Sequence, residues 1–225
     1  MSQVYNPGCA LLLYKPHHAH KLLSFLRGCD DAMPAPSEIG KHEICCHHEP
    51  RLPAGTEIIN TCPGCDKRFG SLYEGISTIS LWEVIAASKT FPFPNYQGMT
   101  MTVHDACPVR NRGDVHDAIR TLLQKMNINI VEAEKNRRHS VCCGDSSYPA
   151  LPLEKVHEKM RDRANAMPVE NVCVYCVSCI KSMNIGGKKP RYILDLLFNE
   201  ETESEICDTV EWHKQVRAFI ERSAR

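Results

Sequence analysis

The chain has 225 residues, equal numbers of basic and acidic side chains (27 each), and thirteen cysteines. That length can bury a real core as one large domain or two small ones. The neutral balance, with no basic run, gives no support to a nucleic-acid partner. No apolar run approaches the roughly 20 residues needed to cross a bilayer, and the opening "MSQVYNPGCALLLYKPHHAHK" has neither a basic start nor an unbroken apolar stretch. It reads as no signal peptide, and a soluble, cytoplasmic protein is expected.

In chain order, "HHAHKLLSFLRG" predicts a helix closing on Gly28. "KHEICC" and "TEIINTC" predict short strands, each running into cysteine. "SKTFPFPNYQGMT", with Pro92, Pro94 and Gly98, marks a linker or rigid turn between two halves, 1–92 and 93–225. "MTMTVHDAC" and "INIVEA" predict strands flanking the helix "GDVHDAIRTLLQKM", whose Val115, Ile119, Leu122, Leu123 and Met126 form one apolar stripe with Asp114 as its N-cap. "LPLEKVHEKMRDRANAM" predicts another helix, "NVCVYC" another strand, and "VEWHKQVRAFIERSA" a last helix in the second half, after the acidic loop "NEETESEICDTV". This alternation predicts an α/β fold with mostly parallel strands, in which ligands sit at the carboxyl ends of strands. Most of the cysteines fall there.

The cysteines repeat. Cys9 is followed after 35 residues by Cys45 and Cys46, then after 15 more by Cys62 and Cys65. Cys107 is followed after 34 residues by Cys142 and Cys143, then after 32 more by Cys176 and Cys179. Each half thus carries one cysteine, an adjacent pair and a CxxC. In an extended chain adjacent side chains point to opposite faces, so Cys142 and Cys143 reach one centre only through a sharp turn, which Gly144 permits. Clusters of this kind in a chain without an export signal point to metal or redox chemistry rather than a disulfide scaffold.

A thiolate donor set selects zinc or iron–sulfur over hard cations. Structural zinc and cubane clusters each take four ligands; five thiolates with an adjacent pair suggest a cluster in which one thiolate bridges irons. "CVYCVSC" begins like a ferredoxin run but lacks its fourth cysteine and proline. A thioredoxin-like dithiol at Cys62 and Cys65 would leave both adjacent pairs unexplained. Cys29, Cys173 and Cys207 lie outside the repeated order and read as buried structural residues. His104 and Asp105, just before Cys107, are either partners of a cluster ligand or ordinary turn residues. Lys67, Arg68 and Arg110 could balance cluster charge, and "KPHHAHK" reads as a solvated helix start.

On "NPGCALLL", "TCPGCDKRFGSLYEG", "VHDAC", "VCCGDSS" and "NVCVYCVSC", the chain resembles the tandem cysteine-rich CCG-domain family typified by the disulfide-cleaving subunit of heterodisulfide reductase, over residues 4 to 200. The resemblance implies two pseudo-repeated Rossmann-like half-domains and two noncubane [4Fe-4S] clusters. Cys9, Cys45, Cys46, Cys62 and Cys65 would hold the first, and Cys107, Cys142, Cys143, Cys176 and Cys179 the second. In that family the clusters face a shared cavity where a disulfide is cleaved homolytically. Related proteins serve lactate- and glycerol-oxidising complexes and flavin-based bifurcating assemblies. It implies disulfide or thiol redox chemistry, with electrons from a ferredoxin-domain subunit resembling that of heterodisulfide reductase and a flavin or hydrogenase-type donor complex, since no GxGxxG fingerprint is present here.

The first half departs from that pattern. His47 rather than glycine follows the pair, the gap to Cys62 is shortened as if a helix were missing, and His42, His47 and His48 crowd the pair. Zinc, or an altered cluster, is the alternative there; zinc at one or both sites would make the chain an interaction module without redox activity.

Overall fold

A computed structural model describes residues 2–28, 40–41, 45–205 and 208–223. Cys29, Cys207 and His42 lie outside them. The fold is α/β, and every strand pairing among the described residues is parallel. The chain divides into two compact units: Met1–Pro92 with Lys214–Arg225, and Phe93–His213. The division at Pro92 falls in the proline-rich stretch. The last helix, assigned from sequence to the second half alone, is divided between the units at His213.

The first unit runs β1 (Gln3–Asn6), α1 (Cys9–Tyr14), α2 (Pro16–Gly28), β2 (Gly40–Lys41), β3 (Thr56–Asn60), α3 (Pro63–Leu72), β4 (Ile76–Ser80) and α4 (Leu81–Ala87). Its sheet has the order β2-β1-β3-β4. The second runs β5 (Met99–His104), α5 (Gly113–Lys125), β6 (Ile128–Ile130), α6 (Leu153–Asn165), β7 (Asn171–Val174), α7 (Val177–Ile185), β8 (Lys189–Tyr192) and α8 (Ile193–Leu197), with the order β6-β5-β7-β8. Strand for strand the two sheets are ordered alike. A final helix, α9, spans Thr209–Arg222.

Local chemistry explains these elements. The inner strands β3 and β7 are buried on both faces, as parallel strands covered by helices are, although only β7 reads as a near-continuous apolar run. α5 turns Val115, Ile119, Leu122 and Leu123 inward, with Met126 buried behind them. It starts at Gly113, one residue before the expected cap; Asp114 sits in the first turn, where its carboxylate accepts from Val115 N and Arg112. α4 opens with a capping box between Ser80 and Glu83.

One element has no counterpart in the first unit. Between Cys46 and β3 the described residues contain no helix, whereas α6 fills the corresponding interval of the second. Gly144 is where this matters. It has φ +100°, and a methyl group on it would lie 3.0 Å from Met160 N and 3.1 Å from Lys159 Cβ, both on α6. In the first unit His47 is exposed and not in the left-handed region. The glycine is therefore required by the helix it packs against as well as by its own turn, and the adjacent cysteines of the first unit manage without it.

Candidate metal centres

The local fold delivers the lone cysteines and the CxxC pairs to the carboxyl ends of strands. Cys9 opens α1 after β1, and Cys107 opens a short 3-10 turn after β5. Cys62 is the N-cap of α3, followed by Pro63 at the first helical position; Cys176 is the N-cap of α7. The CxxC spacing then places Cys65 and Cys179 in the first turn of the same helices, beside their partners and close to unpaired backbone N–H groups.

The structure brings all ten sequence-predicted residues into two groups of five, one in each unit. In the first, interacting thiols run Cys9 to Cys45, Cys45 to Cys46, Cys46 to Cys65 and Cys65 to Cys62. In the second they run Cys107 to Cys142, Cys142 to Cys143, Cys143 to Cys179 and Cys179 to Cys176. The order is the same: lone cysteine, first of the pair, second of the pair, second of the CxxC, first of the CxxC. The eleven described cysteines are all free.

Within each chain of sulfurs the first residue of the pair is the favoured thiolate. Cys46 and Cys9 both donate to Cys45 and hold it at about 2. Cys46 in turn is pushed up to about 12, chiefly because it keeps its proton and donates its S–H to Cys45. Cys142 is held well below the ordinary thiol value by Cys107 and Cys143, and Ser146 Oγ lies 3.1 Å from its sulfur. Cys62 is lowered to about 7 by the Cys65 thiol, with help from the backbone N–H groups of Cys65 and Gly64. Cys173 stands apart: it is fully buried in β7, and burial is the chief cause that drives its thiol up to about 12.

The loops carrying the adjacent pairs are pinned. Arg68 Nε and Tyr73 Oη both donate to the Cys46 carbonyl, at 3.2 and 3.3 Å. Arg110 donates to the Ser140 carbonyl at 3.1 Å. Two of the three charges singled out in the sequence thus hold the loops; Lys67 is exposed. Gly8 has φ +75°, and a methyl group there would lie 3.0 Å from Cys62 Cβ and 3.3 Å from Cys65 Sγ, so the backbone is bare where the thiols crowd it.

Sequence reasoning did not identify the polar frame of the second unit. Asp105 is fully buried and accepts from Arg120 through both oxygens, at 2.6 and 2.9 Å, from Arg137 N at 2.6 Å and from Tyr175 Oη at 3.2 Å. Tyr175 Oη also receives the Ala106 N–H, at 2.9 Å. The residues before Cys107 and Cys176 are thereby tied together. Asp145, just behind the pair, is buried and ion-paired to Lys181 at 2.8 Å, and His213 Nε2 lies 3.2 Å from its other oxygen. The available signal was Arg120, a cation in the apolar stripe of α5, which a helix buries only with a partner.

A cavity of about 470 Å³ opens beside the second group, lined in part by Cys142, Gly144, Ser147, Lys159, Asp162 and Arg163. Cys45, Cys46 and His47 also place one donor atom each within 4.8 Å of one another.

Fold and side chains together define a cysteine-rich α/β protein with groups able to hold metal. No described helix is long and apolar enough to cross a membrane. No protein-family model matches the sequence, and no curated protein matches it. Among solved structures, the crystal structure of glutamate racemase isoform RacE1 from Bacillus anthracis is similar at a TM-score of 0.37 and 9% identity, over 97% of this chain and 82% of that one. At that TM-score the likeness says nothing about activity.

Proposed function

We propose that the chain is an iron–sulfur oxidoreductase subunit resembling the disulfide-cleaving subunit of heterodisulfide reductase. Cys9, Cys45, Cys46, Cys62 and Cys65 would hold one noncubane [4Fe-4S] cluster, and Cys107, Cys142, Cys143, Cys176 and Cys179 a second. The observation that supports this reading is the identical order of five contacting thiols in each unit. An all-sulfur donor set suits iron–sulfur centres, and five donors exceed what tetrahedral zinc or a cubane uses. Bound there, such clusters supply one-electron chemistry suited to making or breaking a disulfide.

The chain's own residues would position and gate. The cavity beside Cys142 has room for a small thiol or disulfide. Lys159 and Arg163 in its wall favour an anionic one, with Asp162 limiting that preference. Electrons are expected from a ferredoxin-domain partner fed by a flavin or hydrogenase-type complex.

A second reading has one specific observation in its favour. The Cys45, Cys46 and His47 donors form a mixed sulfur and imidazole set of the kind zinc accepts, and the first unit lacks the covering helix. Iron, zinc and acid-labile sulfide per chain, measured on protein purified without oxygen and paired with electron paramagnetic resonance, separate the readings. About eight irons and eight sulfides support two clusters. About four irons with one zinc would confine redox chemistry to the second unit, and zinc without sulfide would make the chain an interaction module.

A further inference from the structure

The last residue of β5 stands beside the second group of thiols. His104 is buried, and its Nδ1 accepts a hydrogen bond from Arg163 Nε at 3.1 Å. A nitrogen that receives a guanidinium N–H must present its lone pair, so the neutral ring carries its proton on Nε2. Nε2 is also buried and has no hydrogen-bond partner. His104, Cys143 and Cys179 bring a ring nitrogen and two sulfurs within 4.8 Å of one another. Arg163 is fixed in turn by the Lys135 carbonyl and Ser140 Oγ, both at 3.1 Å, so the ring's orientation is determined from outside the site. A buried donor left without an acceptor costs about 1–3 kcal/mol, and native proteins rarely leave one so.

We propose, resting on the reading that the second site holds an iron–sulfur centre, that His104 donates its Nε2–H to a sulfur of that centre and that Arg163 sets the tautomer that makes this donation available. His104 is then a positioning residue and not a ligand: the lone pair of Nδ1 is taken up by Arg163, and the protonated Nε2 has none for a metal. An N–H···S hydrogen bond draws charge from sulfur and favours the reduced state, which raises the reduction potential.

The first unit has an asparagine, not a histidine, at the equivalent place. Asn6 ends β1 three residues before Cys9, as His104 ends β5 three residues before Cys107. Its amide nitrogen donates to Asn60 Oδ1 at 3.1 Å, and its oxygen accepts from Gly8 N at 3.3 Å. A buried imidazole therefore distinguishes the second site from the first at this position, and its hydrogen bond to sulfur would separate the potentials of two otherwise similar centres.

The test uses full-length protein purified without oxygen, labelled with ¹⁵N-histidine and reduced. Electron–nuclear double resonance should give a weak ¹⁵N coupling and an exchangeable-proton coupling that disappears in deuterated buffer. In His104→Phe both should be lost and the midpoint potential should fall, with iron and sulfide content kept. His104→Gln, whose amide N–H reaches about as far, should recover part of the potential. A strong coupling from a directly bound nitrogen overturns the proposal, as does a His104→Phe protein with full iron and an unchanged potential. Should His104→Phe not fold, Arg163→Met keeps the ring but frees its proton to move to Nδ1; its potential should fall too, and an unchanged value overturns the proposal. Metal analysis of the wild-type sample separates the two failures. Absence of iron rejects the iron–sulfur reading itself, whereas iron with no histidine signal rejects the hydrogen bond alone.

Discussion

Gly144 packs its bare α-carbon against Met160: a side-chain carbon at that position would stand 3.0 Å from the Met160 amide nitrogen, which belongs to a helix and cannot yield. Gly144→Ala should therefore destabilise the protein twice over, by about 1–2 kcal/mol for the left-handed backbone and about 1–3 kcal/mol for overpacking. Chemical denaturation measures the sum. His47→Gly in the first unit removes no such contact, and a comparable loss there would contradict the account of why one unit has the glycine and the other does not.

A tighter contact lies where α6 meets α7. A methyl group on Gly186 would fall 2.1 Å from Ala164 Cβ and 3.1 Å from the Met160 carbonyl. Gly186→Ala is expected to lower the melting temperature sharply, and adding Ala164→Gly should recover most of the loss. A double variant no more stable than Gly186→Ala would mean that the carbonyl contact, not the methyl pair, sets the spacing.

Asp105 and Arg120 form a buried pair whose partners cannot be removed singly without leaving a charge behind. Arg120→Met should cost about 3–5 kcal/mol in urea unfolding, with Asp105→Asn also destabilising. The double variant should fall well short of the sum. Strict additivity would show that the two side chains act separately.

Much of this was legible in the sequence because cysteine spacing and strand alternation are strong local signals. The repeated five-cysteine order and strands β3, β5, β6 and β7 came from the pattern directly. Strands β1, β4 and β8 did not: β8, for one, is four residues long and carries Pro190, tolerated because it borders only β7. The helices α3 and α7 were hidden because their first turns are read as metal-ligand spacing before they are read as helix. Nor could sequence show that Arg163 and His104, 59 residues apart, share a hydrogen bond. Long-range polar partners leave no periodicity.

The ligand assignment makes its own prediction. Cys143→Ser should lose metal from the second site and leave the first intact, and Cys46→Ser should do the reverse. Since bound metal is also folding free energy, each variant should unfold earlier than wild type. Full metal content in Cys143→Ser would falsify the assignment.

Cys173 offers an internal control. It is fully buried with its thiol pushed up to about 12, so it should remain protonated and unmodified by thiol reagents at neutral pH even after a chelator has stripped the metal. Peptide mapping after labelling checks this. Because the raised value belongs to the folded state, the stabilisation it reports is fully present below the ordinary thiol pKa and is lost as pH climbs through about 12.

The unbroken runs of touching sulfurs carry a liability as well as a capacity. Thiols already in contact, one of them held as thiolate in each run, are the arrangement from which exchange and oxidation proceed fastest. Every cross-link formed between neighbours withdraws two donors at once. Stripped of metal and exposed to air, each unit has several competing ways to oxidise itself shut, so the bound centre would act as a protecting group, and loading would have to outrun oxygen.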